Sequence, residues 1–74
     1  MDKMERNRRD ILRILSESDG PMNSASVTEQ LHARGQEMSE RTVRYYLLQS
    51  DREGLTENLG RRGRRITERG KKEL

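Results

Sequence analysis

Ser39-Glu40-Arg41-Thr42-Val43-Arg44-Tyr45-Tyr46-Leu47-Leu48-Gln49-Ser50-Asp51-Arg52-Glu53-Gly54 reads as one two-faced helix between a start and a stop signal. Ser39 offers a side-chain oxygen to the free amides of a helix running from Glu40 to Glu53, and Gly54 supplies the left-handed residue that ends it. At 100° per residue, Val43, Tyr46 and Leu47 share the inward face, while Arg41, Arg44, Tyr45, Leu48 and Arg52 turn outward. A narrow apolar stripe with a basic back places this helix on the surface of a core, its cations facing water or an anion.

Upstream, Ile11, Leu12, Ile14 and Leu15 fall at helical spacing within Glu5 to Glu17, and Met4 and Arg8 extend that stripe by a turn. Ser18-Asp19-Gly20-Pro21 stops it, because Pro21 lacks an amide donor and biases Gly20 away from the helical region. Asn23 or Ser24 caps a second helix through Ala25, Val27 and Leu31 to Arg34, with Gly35 just past its end. Downstream, Leu55 and Leu59 alternate inward on a strand, Gly60 to Arg64 forms a loop, and Ile66 anchors a short return strand. Thr67 caps a last short helix, Glu68 to Leu74, whose Lys71 and Lys72 suit the negative end of a helix dipole. The expected core is Ile11, Leu15, Val27, Leu31, Val43, Leu47, Leu55 and Ile66.

Helix, helix, helix, hairpin, with a short turn between the second and third helices, is the order of a winged helix-turn-helix. The expected fold is therefore α+β but mostly α: three helices, a two- or three-stranded β-wing and a short C-terminal helix, forming a single domain over residues 1–74.

Composition narrows what such a domain does. With 74 residues, 28% of them apolar and neither Phe nor Trp, the chain supports one small core. Charged residues make up 39%, a proportion at which disorder is weighed, but the apolar positions are periodic and flanked by caps. The absence of cysteine removes disulfides, thiolate metal sites and thiol catalysis, and no apolar run suits a signal peptide or membrane span. His32 is the single histidine, expected on the surface of the second helix; no acidic cluster has metal spacing and no serine sits in a nucleophile turn. The residues thus point to a cytoplasmic binding protein, not an enzyme, with no cofactor.

The net charge of +3 is unevenly placed. Residues 1–37 carry six Lys/Arg against seven Asp/Glu, and residues 38–74 carry ten against six. Within Gly60 to Lys72 stand Arg61, Arg62, Arg64, Arg65, Arg69, Lys71 and Lys72, with Glu68 the lone acid, a local field suited to a polyanion.

Two candidate contact surfaces follow. On the third helix, Arg41 and Arg44 can each offer a guanidinium fork to O6 and N7 of guanine, and Glu40 can accept from a cytosine amino group. Thr42 and the Ser39-capped helix start can donate to phosphate. Tyr45 suits a phosphate or a thymine methyl, or packs its ring over a neighbour, and Tyr46 belongs to the core side. On the hairpin, Gly60-Arg61-Arg62-Gly63-Arg64-Arg65 puts four guanidiniums on a glycine-jointed tip, able to track a phosphate backbone or enter a narrow minor groove. The plainer reading of both sets is solvated surface charge. Four cations without an adjacent acid repel one another, however, until something neutralises them. The loop lacks the glycine spacing and Lys-Ser/Thr ending of a nucleotide-phosphate loop.

Ser39 to Leu47, with Arg52-Glu53-Gly54-Leu55 after it, resembles the recognition helices of bacterial and archaeal winged-helix repressors. Asn7-Arg8-Arg9-Asp10-Ile11-Leu12 and the closing Ile66-Thr67-Glu68-Arg69-Gly70 resemble the N-terminal domains of methanogen nitrogen repressors and the related ribonuclease R winged-helix family, so the resemblance spans nearly the whole chain. One departure is Ser50, where such helices commonly carry a core Leu, while Leu48 points elsewhere. The resemblance implies sequence-specific binding of double-stranded DNA by the N-terminal part of a longer repressor. It further implies that a C-terminal region outside these residues makes a homodimer and senses 2-oxoglutarate, and that the regulated genes serve nitrogen assimilation. Two other classes compete: an RNA-binding accessory domain of a ribonuclease, disfavoured by the scarcity of aromatics for base stacking, and a protein-interaction module using Leu48 and the outer helix face.

Overall fold

The computed structural model describes residues 3–74, in the order α1 (Lys3–Glu17), α2 (Ser24–Ala33), α3 (Glu40–Arg52), β1 (Thr56–Asn58), a single 3-10 turn (Gly60–Arg62), β2 (Arg64–Ile66) and α4 (Glu68–Lys72). The helix starts follow local chemistry. Asn23 Oδ1 accepts from the Ser26 amide at 2.8 Å, Ser39 Oγ from Thr42 at 3.2 Å and Thr67 Oγ1 from Gly70 at 3.0 Å, each satisfying an amide that has no partner inside its helix. Of the two caps open for α2, Asn23 is the one used. The far ends of α2 and α3 turn through Gly35 and Gly54, both at positive φ.

The three long helices close around one core of Ile11, Ile14, Leu15, Val27, Leu31, Met38, Val43, Tyr46 and Leu47, with Met22 and Ile66 packed partly buried against it. Leu12 and Leu55 are also buried. Six of the eight residues expected inside have almost no exposed surface and a seventh, Leu15, has little. The eighth, Ile66 on β2, is partly buried and packs against the edge of that core. Ala25 is exposed and Thr28 takes the buried position beside Val27, its hydroxyl donating to the Ser24 carbonyl at 2.7 Å. Met4 likewise lies in solvent, and Arg8 is half-buried with its guanidinium on Glu53 at 3.0 Å. Ser50 is wholly buried where a leucine was the expected type; its hydroxyl returns to the Tyr46 carbonyl at 2.8 Å, so the smaller residue leaves no unpaired polar atom.

The wing is an antiparallel pair with Thr56 opposite Ile66, Glu57 opposite Arg65 and Asn58 opposite Arg64. A third, one-residue strand joins it: Met22 and Arg64 exchange both backbone bonds, at 3.0 and 2.8 Å. Gly63 makes this close approach possible, since its φ is 96° and a Cβ there would run into the Met22 backbone. The hairpin differs from the expected one at two residues. Leu59 lies beyond β1 rather than within it, its amide closing the tip onto the Gly63 carbonyl at 2.7 Å. Arg64 belongs to a strand and not to the loop, because the Met22 bridge fixes its backbone as extended.

Candidate nucleic-acid interface

Residues 34–39 carry the chain from α2 into α3, and several bonds hold this turn. The Gln36 amide nitrogen bonds the Leu31 carbonyl at 2.9 Å while its side chain donates to Asp10 on α1 at 2.7 Å. His32, exposed on α2 as expected, meets the Met38 carbonyl at 2.9 Å, and Met38 itself is buried. The start of α3 is thus fixed against both other helices, and its outer face is presented as a rigid surface.

On that face Arg41, Arg44, Tyr45, Leu48 and Arg52 are all exposed, as the helical spacing requires. Arg41 has no acidic partner among the described residues. Arg44 is paired: its guanidinium lies 3.2 Å from Glu40 Oε1, which also accepts from Ser24 Oγ on α2 at 3.2 Å. Glu40 therefore steers Arg44 and ties α3 to α2, rather than standing free to meet a base. An exposed i,i+4 pair of this kind contributes at most about 0.5 kcal/mol, so an anion or a base edge can displace it at little cost. Ser39 and Thr42 stand together at the helix start, Oγ to Oγ1 at 3.0 Å. The Tyr45 hydroxyl accepts from Gln49 Nε2 at 2.9 Å, and its ring meets Tyr46 edge-on with centroids 6.0 Å apart. Tyr46, buried, receives Asn7 Nδ2 at 3.4 Å on its hydroxyl.

The four wing arginines separate into three situations. Arg61 and Arg62 lie in the exposed 3-10 turn, without an acid partner among the described residues. Arg65 is exposed on β2 but is held by Glu57 across the sheet at 2.6 Å. Arg64 corrects the expected set: its side chain is only 11% exposed, and Nε donates to both carboxylate oxygens of Asp51 at 3.2 and 3.0 Å. Asp51 also accepts from Thr56 Oγ1 at 2.6 Å. This guanidinium is a strut between the last turn of α3 and the wing, so the tip offers two unneutralised cations rather than four. The sequence has no sign of the Asp51–Arg64 pairing, whose members stand thirteen residues apart and meet only once the hairpin has formed.

Among the described residues no group of His, Cys, Asp and Glu is arranged to hold a metal ion, and no helix is long and apolar enough to cross a membrane.

The profile of the ribonuclease R winged-helix domain family matches residues 9–74. The chain is 45% identical over 65 residues to a global nitrogen regulator, NrpR, of Methanococcus maripaludis, an alignment covering 88% of this chain and 12% of that protein. It is 42% identical over 74 residues to the global nitrogen regulator NrpR of Methanocaldococcus jannaschii, covering all of this chain and 14% of the relative. Against the global nitrogen regulator NrpRI of Methanosarcina mazei it is 36% identical over 72 residues, 97% of this chain and 22% of the relative. The chain therefore spans between about an eighth and a fifth of the curated relatives it matches. No solved structure matches.

Proposed function

This chain belongs to the ribonuclease R winged-helix domain family, and we propose that it is the sequence-specific, double-stranded-DNA-reading head of a transcriptional repressor. The observation that carries the reading is the pairing of two exposed features on a rigid frame: the outer face of α3, and the wing tip, whose Arg61 and Arg62 have no acidic partner among the described residues. In this reading α3 enters the major groove. Arg41 and Arg44 take guanine edges there, Arg44 exchanging Glu40 for the base, and Glu40 once released can accept from a cytosine amino group. Ser39, Thr42 and the α3 start donate to a phosphate, and Tyr45 lies against the groove wall. Arg61 and Arg62 hold the flanking backbone, Arg65 joins them when the anion displaces Glu57, and Arg64 keeps the wing in place without touching DNA. The role is binding in the cytoplasm, not catalysis.

The relatives are named as global nitrogen regulators, which supports nitrogen-assimilation genes as the regulated set. Two heads acting as a homodimer, joined by sequence outside these residues, would take the two halves of a palindromic operator, one head in each.

Titration of a labelled duplex and a single-stranded RNA of the same length, each at two salt concentrations, tests the reading. With about three phosphate contacts per head, log K for the duplex should fall against log salt with a slope near −2.7. Tighter binding of the RNA, or duplex binding indifferent to salt, contradicts it.

A further inference from the structure

Four large apolar side chains are exposed among the described residues, and two of them, Met4 and Leu74, lie near the chain ends. The other two, Tyr45 at 52% and Leu48 at 46% exposure, stand side by side in the middle of α3. With Arg41 and Arg52 they form one stripe: positions 41, 45, 48 and 52 fall within about 60° of each other at 100° per residue, and span about 16 Å of helix, roughly five base pairs. The stripe is basic at both ends and apolar at its centre. A second copy of this helix suits it poorly, because antiparallel packing sets Arg41 against Arg52 and parallel packing sets like against like. A polyanion with an apolar group in the middle of its groove suits both parts, and in the major groove the one apolar group is the 5-methyl of thymine.

Building on the DNA-reading role proposed above, we infer that Leu48, with the Tyr45 ring beside it, reads thymine methyl groups, so that the preferred half-site carries thymine between the positions met by Arg41 and Arg52. The Gln49 amide on the Tyr45 hydroxyl and the edge-on Tyr46 ring hold the Tyr45 ring in place, which leaves Leu48 and that ring as a fixed apolar ledge. Leucine distinguishes thymine from cytosine here by covering the 5-methyl, where cytosine has only a hydrogen.

The experiment replaces each thymine of a duplex, selected from random DNA by this chain, singly with deoxyuridine, which removes the methyl and nothing else. Affinity is measured for the parent and for Leu48→Ala, a change at an exposed position confirmed as folded by circular dichroism. At one or two thymines the parent should lose about fourfold, the value of one buried methyl, and Leu48→Ala should lose nothing further on the same replacement. Deoxyuridine without effect at every position, while the parent still prefers the selected duplex, overturns the inference. So does an equal penalty in parent and variant, or a Leu48→Ala variant that turns a dimer of the free chain into a monomer in sedimentation. A parent with no preference for any duplex removes the DNA-reading role itself, an outcome distinct from these.

Discussion

Leu47 and Leu48 are adjacent and opposite in consequence. Leu47 is fully buried among the residues of α1 and α2, whereas Leu48 is 46% exposed. Leu47→Ala should cost about 2–5 kcal/mol through the cavity it leaves, enough to unfold much of so small a domain, whereas Leu48→Ala should stay within about 0.5 kcal/mol of the parent. Thermal melts of the two variants check this; equal midpoints would contradict the inward face of α3. This contrast was legible in the sequence because helical spacing assigns each residue a side. Arg64 was not legible. In Arg61-Arg62-Gly63-Arg64-Arg65 nothing local tells one arginine from another, and only the Met22 bridge and the Asp51 carboxylate single out the one that turns in. Gly63 is equally silent in sequence yet tightly constrained in space. Gly63→Ala drives a Cβ into the Met22 backbone at a φ that L residues rarely adopt; the strain alone should cost about 1–3 kcal/mol, with the clash adding to it, measured by the same melts.

Among the elements, the helices and the presence of the hairpin were readable and the bracing of the wing was not, for a physical reason. Asn23, Ser39 and Thr67 cap through bonds three residues long, and Gly35 and Gly54 end helices through their own backbone angles, so the information is local. The wing is held by partners thirteen and more than forty residues apart, Asp51 with Arg64 and Met22 with Arg64. Its stiffness therefore depends on the Asp51 strut. Asp51→Ala removes the acceptor of both Arg64 and Thr56 and leaves a charge only 11% exposed without its partner, which should cost about 1.5–3 kcal/mol. If the strut also aims the tip, variants still folded at low temperature should show a shallower salt slope on duplex DNA, by up to about 1.8 for the two contacts of Arg61 and Arg62. An unchanged slope would mean that the tip finds phosphate without the strut. Arg64→Lys keeps the charge but not the Nε donor, and so reports whether geometry or charge is required.

At the scale of the whole molecule, the division of charge separates holding from reading. Exposed pairs such as Arg34 with Glu17 at 2.6 Å and Arg8 with Glu53 at 3.0 Å neutralise cations away from the proposed contact surface, while Arg41, Arg61 and Arg62 have no acidic partner among the described residues. The wing tip and the start of α3 would hold any phosphate backbone, and only the α3 face would meet base edges. The direct test is therefore one ratio, the affinity for a duplex selected by this chain over that for random duplex, taken for the parent, for Arg44→Ala and for the joint Arg61→Ala, Arg62→Ala variant. Arg44→Ala should lose about 1–3 kcal/mol on the selected duplex and much less on the random one, so that its ratio collapses. The tip variant should weaken both duplexes alike and keep the parent's ratio. Equal losses on the two duplexes with Arg44→Ala would make α3 a second phosphate clamp and contradict the claim that this helix reads sequence.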